Sequence, residues 1–316
     1  MNPGPQSTLA IGQIENPLLV LFSQIFGSHV QLIKHTLLKE KFDYLVLSVQ
    51  LCKPDLTVVV KLAGPQALIL CPFERTAALY RLVADRTNIT VPEVFSADET
   101  CTELPWKYLI LQHIQGIEWA NIHRTLRPDE LKAAYSEIGV AAAQLHTIRF
   151  SNFGEISVSG IVEKTCSFQD AFRERAQAFI KDEAFFEFFM SVFEHRKYLF
   201  VDLGASMTHE DLHHYNLLFQ PQQGRWRLAT ILDFDKAWAG HAESDLARLE
   251  IWRGMTNPDF WEAYSSVHTI SPFYHERRPV YQLFWCLEFA SSTEQHLADT
   301  LQVCHELGVR LPKRFI

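Results

Sequence analysis

Thr208-His209-Glu210-Asp211-Leu212-His213-His214-Tyr215-Asn216-Leu217-Leu218-Phe219, followed by Ile231-Leu232-Asp233-Phe234-Asp235, is the stretch whose reading decides the fold. It places a His, several acids and an Asn at two loop sites joined by short apolar runs. That layout suits phosphoryl transfer, in which one Asp orients a hydroxyl nucleophile while an Asn and a second Asp hold magnesium against nucleotide phosphates. Asp211 takes the first role, as catalytic base or orienting group. His209 belongs to the same catalytic motif and reads as its hydrogen-bonding partner. Asn216 and Asp233 are the candidate metal ligands. Asn216 lies five residues after Asp211, so one loop carries both. Asp233 ends the apolar run 228–232, and its hard carboxylate oxygen suits magnesium.

A second motif overlaps the first. His209-Glu210-Asp211-Leu212-His213 also spells H-E-x-x-H, which binds zinc when a helix brings both His residues to one face and the Glu serves as general base. The surrounding residues are mediocre helix formers, and Leu217-Leu218-Phe219 reads as a strand entering a Gln220-Pro221 turn. The zinc reading also leaves Asn216, Asp233 and Lys61 without a role. His213 and His214 read as surface or packing residues.

Composition sets the class. The 316 residues are 47% hydrophobic and 21% charged, as in a soluble globular protein of one large or two ordinary domains. A formal net charge of −8 disfavours nucleic acid as a partner. Residues 201–316 hold 10 Lys and Arg against 15 Asp and Glu, a mildly acidic region that reads equally as a lure for a cationic substrate or as ordinary solvated surface plus catalytic acids. Six scattered cysteines without a C-x-x-C pair fit reduced thiols in the cytoplasm. No signal peptide or membrane span is read: Leu18-Leu19-Val20-Leu21-Phe22 is too short to cross a bilayer.

The pattern along the chain changes near residues 112–116. Before it, a short helix over 17–27 and strands over 29–39, 43–52 and 56–63 precede a helix over 72–87 and strands over 92–97 and 106–113. After it, helices over 128–148, 168–195, 243–253, 258–267, 277–290 and 292–307 dominate, interrupted by short strands at 217–219 and 227–232. An α+β chain of two lobes follows, with a β-rich nucleotide-binding lobe over 1–115 and a mostly helical catalytic and substrate lobe over 116–316.

Val58-Val59-Val60-Lys61-Leu62 is a buried-type strand with one Lys inside it, which is costly unless the amine is compensated. Phosphate oxygens and a helix carboxylate would do so, and Glu74, at the start of the next helix, is the natural partner. Glu74 there also suits the helix dipole alone. Tyr108-Leu109-Ile110-Leu111-Gln112-His113-Ile114-Gln115-Gly116 reads as a strand running into a hinge.

These residues, in this order, resemble the aminoglycoside phosphotransferase family of the protein-kinase-like superfamily, whose relatives include choline and fructosamine kinases. The resemblance rests on His209-x-Asp211-x-x-x-x-Asn216 and Asp233-Phe234-Asp235. Gly240 with Asp245-Leu246-Ala247, and Ala143-Gln144-Leu145-His146 before Phe153-Gly154, add to it. It spans roughly residues 30–290. It implies a two-lobed kinase-like fold, ATP or GTP as co-substrate and Mg2+ as cofactor. It implies further that Asp211 is catalytic, Asn216 and Asp233 bind the metal, and Lys61 contacts the phosphates with Glu74 positioning it. Gln112 and Ile114 would offer backbone bonds to adenine, and Asp245 would brace the catalytic loop.

Two departures stand out. The usual small residue between the His and the Asp is here Glu210. The hairpin 37–44, expected to cover the phosphates, contains no glycine, although backbone amides approach phosphate most closely where no Cβ intervenes. The second departure supports an alternative, a catalytically inactive nucleotide-binding or regulatory protein. On the leading reading the chain phosphorylates a hydroxyl of an amine-bearing or sugar-like small molecule. The C-terminal helices carry Trp252, Phe260, Trp261, Tyr264, Tyr281, Phe284, Trp285 and Phe289 with Glu243, Glu250, Asp259, Glu262 and Glu288; the majority of these aromatics read as core, and the carboxylates and remaining faces suit such an acceptor.

Overall fold

The computed structural model describes residues 9, 11–164, 166–289 and 293–313, the side chains of 11–13 excepted. They gather into two compact units. The first holds the described residues up to Asp85, with Thr90–Gln115 and Val158–Gly160; the second holds Arg86–Ile89, Gly116–Ser157 and the described residues from Ile161 onward.

In the first unit, helix α1 (Ile11–Phe26) precedes strands β1 (Gln31–Lys41), β2 (Tyr44–Cys52) and β3 (Leu56–Ala63). Helix α2 (Phe73–Arg86) and strands β4 (Val94–Asp98) and β5 (Lys107–Gln112) follow. All five strands pair antiparallel in the order β1-β2-β3-β5-β4. Strict alternation decides which face is buried. Leu45, Leu47, Val49 and Leu51 of β2 and Val58, Val60 and Leu62 of β3 join one core with Ile14, Leu18, Leu21 and Phe22 of α1. The same alternation puts Lys61 on the opposite face of β3. Helix α1 begins earlier than the expected 17–27, because the apolar spacing at Ile14, Leu18, Leu21 and Phe22 runs through Pro17 without a break.

The glycine-free hairpin turns on Phe42 and Asp43. Asp43 takes a left-handed φ of 53°, a region Asp tolerates. It is buried; its carbonyl accepts from Gly64 N at 2.8 Å and its Oδ2 from Gln66 N at 3.0 Å. The hairpin tip is therefore tied down on its own sheet rather than left free.

The second unit opens with β6 (Ile117–Glu118), α3 (Trp119–Ile122), α4 (Pro128–Thr147) and β7 (Arg149–Phe150). Helices α5 (Phe168–Phe179) and α6 (Glu183–Arg196) come next, then strands β8 (Ala205–Thr208), β9 (Leu217–Gln222), β10 (Arg225–Ile231) and β11 (Trp238–Gly240). Helices α7 (Glu243–Ile251), α8 (Pro258–Ser265), α9 (Tyr274–Glu288) and α10 (Glu294–Leu307) complete it. The strands form two small sheets, β10-β9-β6 and β11-β8-β7. Phe172, Phe189, Phe193, Phe200, Tyr281 and Phe284 pack into one aromatic core, each burial contributing about 2–3 kcal/mol by transfer.

Two expectations are corrected here. The single helix over 168–195 is two helices: Ile180 turns extended, and Asp182 caps α6 by accepting from Ala184 N and Phe185 N. The turn placed at Gln220-Pro221 falls instead at Gln223-Gly224. Both residues there have positive φ, as a two-residue hairpin requires, and β9 runs straight through Pro221.

Helix α4 crosses α8 at backbone distance. A Cβ on Gly139 would lie 2.4 Å from the Phe260 carbonyl oxygen, which has no flexible end to move aside. Gly139→Ala is therefore expected to destabilise the protein by about 2 kcal/mol or more despite its better helix propensity. Thermal unfolding checks this; an unchanged or raised Tm would show that the helices can separate at no cost.

Candidate functional site

The loop 209–216 joins β8 to β9, and a buried carboxylate from α7 shapes it. Asp245 Oδ2 accepts from His209 N at 2.7 Å, and Oδ1 accepts from Glu210 N at 2.7 Å. Asp245 Oδ2 also lies 3.1 Å from His146 Nε2, at the end of α4. Burial alone would raise the Asp245 carboxyl, but the His146 bond and the His209 backbone outweigh it and hold it below the usual range. The chain of bonds continues outward: His146 Nδ1 meets the Tyr264 hydroxyl at 2.7 Å, Tyr264 meets His268 Nδ1 at 3.2 Å, and Arg149 donates to His268 Nε2 at 2.9 Å.

Both ring nitrogens of His209 are engaged by main-chain groups. Nε2 donates to Leu232 O at 2.9 Å, and Nδ1 accepts from Asp211 N at 3.2 Å. The ring is fully buried against Phe234, 4.6 Å between centroids. Asn216 Nδ2 donates to Asp211 O at 2.8 Å, and Asn216 O accepts from Leu232 N at 2.9 Å. His209, Asp211, Asn216 and Asp233 are thus brought together by bonds between the loop and the end of β10.

Glu210 explains its own presence. It adopts φ 61°, a conformation costing a residue with a Cβ about 1–2 kcal/mol. Its side chain turns inward, accepting from Trp238 Nε1 at 3.0 Å and from Ser244 Oγ. The zinc reading fails on the same facts. Residues 209–213 are not helical, and the carboxylate that would act as base is buried in hydrogen bonds to Trp238 and Ser244.

Asp211 faces charge that sequence reasoning missed. Its Oδ1 lies 3.1 Å from Arg248 Nη2 and 3.7 Å from Lys236 Nζ; its Oδ2 lies 4.0 Å from His213 Nε2. Burial holds the His213 imidazole below its ordinary value. Arg248 and Lys236 both reach Glu288 on α9, at 3.8 and 2.5 Å. The available signal was spacing, Lys236 three residues after Asp233 and Arg248 three after Asp245. The acids proposed for an amine are mostly spent. Glu243 makes a bidentate pair with Arg277, Glu250 meets Tyr274 and Arg278, and Asp259 meets Lys132. Most of the C-terminal aromatics are core: Phe260, Tyr264, Tyr281 and Phe284 are buried.

The remaining candidates belong to the first unit. Lys61 is half-buried on β3. Glu74 is exposed in the first turn of α2, whose leading amide, Phe73 N, is capped by Glu99 Oε1 at 2.5 Å. Gln112 ends β5, its N–H donating to Glu93 O at 2.8 Å, and Ile114 lies in the irregular stretch 113–116. In the second unit, Asn216 gives its amide N–H to Asp211 and so presents its oxygen, while Asp233 stands in a left-handed conformation at the end of β10. A carboxylate and an amide oxygen form a hard donor set that fits magnesium and not zinc.

The chain is similar to known proteins in sequence and in fold. The sequence profile of the phosphotransferase enzyme family (APH) matches residues 43–279. A Vibrio parahaemolyticus protein described as a probable ketoamine kinase is 34% identical over 71 residues, covering 22% of this chain and 24% of that relative's length. The fold is similar to that of aminoglycoside phosphotransferase APH(4)-Ia, solved with ADP and hygromycin B. The TM-score is 0.63 at 16% identity, over 92% of this chain and 96% of that one. It is also similar to a Plasmodium vivax ethanolamine kinase, with a TM-score of 0.57 at 13% identity, over 96% and 89% of the two chains. Among the described residues no helix is long and apolar enough to cross a membrane.

The bond chain behind the loop has a pH signature. Burial, with help from His146 and Arg149, lowers His268 from 6.5 to about 4; burial, then Arg277, lowers His241 to about 3. Both are neutral when folded and more readily protonated when unfolded. The unfolded state therefore binds more protons below pH 6.5, and stability falls as pH drops from there toward 4. Tm measured against pH should decline across that window, and His268→Gln should flatten the decline. An identical slope in the variant would show that His268 is not held neutral.

Proposed function

The chain belongs to the phosphotransferase enzyme family, and from that premise we propose that it transfers the γ-phosphoryl group of ATP or GTP to a hydroxyl of a small-molecule acceptor. The observation that carries the proposal is the loop 209–216, in which Asp211 is held by its neighbours beside Asn216 and Asp233. Asp211 is the catalytic residue. It accepts a hydrogen bond from the acceptor hydroxyl and aims that oxygen at the γ-phosphorus. The new P–O bond forms as the bond to the leaving diphosphate breaks, and the hydroxyl proton leaves by way of Asp211. His209 is a positioning residue, since its ring nitrogens are committed to Leu232 and to the Asp211 amide.

Asn216 and Asp233 would hold Mg2+, which when bound neutralises charge on the phosphates. Lys61 contacts phosphate oxygens, with Glu74 as its helix carboxylate, and the main chain at Gln112 and Ile114 binds the base. An amine-bearing or sugar-like acceptor remains the working class, with the amine reading resting on fewer free carboxylates than the composition promised. The protein works without nucleic acid or membrane, in the cytoplasm.

A thermal-shift titration with ATP and GTP, each with and without Mg2+, tests the reading. A ligand bound only by the folded state raises stability by mass action, about 2.7 kcal/mol at a hundred times Kd. A magnesium-dependent rise in Tm with one nucleotide is expected, lost in Asp233→Ala. Asp211→Asn should keep the shift while transfer falls by about a hundredfold or more. Near-wild-type turnover in Asp211→Asn would move the catalytic role elsewhere. Magnesium-dependent binding without turnover on a broad acceptor panel would favour an inactive nucleotide-binding protein.

A further inference from the structure

Three charged side chains close a group with the proposed catalytic carboxylate. Arg248 comes from the middle of α7, Lys236 from the turn after Asp233, and Glu288 from the last residue of α9. Arg248 and Lys236 are 4% and 9% exposed and Glu288 is 8% exposed, so none is an ordinary surface ion. Two cations and two carboxylates balance within the group. Each cation also lies over an aromatic face: the Arg248 guanidinium is 4.9 Å from the Trp285 ring centroid, and the Lys236 amine 4.5 Å from that of Phe289.

The group is asymmetric at Asp211. Both cations approach Asp211 at Oδ1, at 3.1 and 3.7 Å; at Oδ2 the ion partner found among the described residues is His213 at 4.0 Å, beyond hydrogen-bond distance. A carboxylate gripped at one oxygen cannot rotate freely, and its other oxygen keeps a fixed direction. The gripping cations do not collapse further onto Asp211 because Glu288 draws on both. Lys236 Nζ is nearer to Glu288 Oε1, at 2.5 Å, than to Asp211 Oδ1.

We propose that Glu288 is a positioning residue for phosphoryl transfer: through Arg248 and Lys236 it fixes Asp211 by Oδ1 and keeps Oδ2 for the acceptor hydroxyl. The inference rests on the catalytic role proposed above for Asp211. It gives a function to a carboxylate that does not touch the reacting atoms. It also removes Glu288 from the set of groups able to bind an amine on the acceptor. Without the Glu288 charge, both cations would turn fully onto Asp211, and the carboxylate would be drawn away from the direction the acceptor needs.

The test uses the full chain and Mg2+-ATP alone, with water as the acceptor, read as phosphate release. Glu288→Gln should lower kcat by about ten- to a hundredfold, with KM for ATP and the nucleotide-induced rise in Tm unchanged. Glu288→Asp, which keeps the charge, should recover part of the loss. The double variant Arg248→Met/Glu288→Gln should lose less than the product of the two single losses, because the two substitutions share the Arg248–Glu288 part of the linkage. Wild-type kcat in Glu288→Gln, or losses that simply multiply in the double variant, would overturn the proposal. If the wild-type protein releases no phosphate with water as acceptor, the role of Asp211 is judged on the acceptor panel and the group by stability. Asp211→Asn/Glu288→Gln leaves two buried cations without a carboxylate and should lose more Tm than the two single losses combined. Additive losses would overturn the proposal there too.

Discussion

Two consecutive backbone amides bonded to one buried carboxylate hold the second unit's loop in shape. Asp245 accepts from His209 N and Glu210 N at 2.7 Å each, and everything chemically interesting in the loop depends on that clamp. It forces Glu210 into a left-handed backbone conformation, and that turn sends Asp211 back toward α7 and α9. A buried carboxylate is costly unless its oxygens are satisfied. Here the loop amides and His146 satisfy them, so the strand end, the loop and two helices are secured by one group.

The backbone plan was legible in the sequence because it follows from periodicity. Alternating burial on β2 and β3 is written directly in Leu45 to Leu51 and Val58 to Leu62. The motif residues could be located because their spacing is local: Asp211 and Asn216 share a loop, and Asp233 ends a strand. The failures have a common cause. The break at Ile180–Asp182 and the hairpin turn at Gln223-Gly224 depend on single caps and single φ values, which weigh little against a long apolar pattern. Glu288 was read as one acid among several, since nothing local to it says that Arg248 and Lys236, 40 and 52 residues earlier, will converge on it.

The same nonlocal pairing changes how the acidic composition should be read. The excess of carboxylates after residue 201 left two readings open, a lure for a cation and ordinary solvated surface. In the folded chain Glu243, Glu250 and Glu288 are bound to Arg277, Arg278, Lys236 and Arg248, and Glu210 is bound to Trp238 and Ser244. Composition counts charges, whereas recognition depends on the charges left unpaired. The glycine-free hairpin teaches a further lesson. It lacks glycine, yet Asp43 supplies the left-handed turn and ties the tip to Gly64 and Gln66.

Pro221 has a consequence for how copies of this protein meet in concentrated solution. Strand β6 pairs with β9 at Leu218 and Phe219, and among the described residues no strand pairs with the rest of that side of β9. In a two-residue hairpin closed at Gln222 and Arg225, the next residue back directs its amide outward. That residue is Pro221, which has no amide hydrogen to offer. An approaching strand from another chain would find no donor at that position, which blunts self-assembly at this edge.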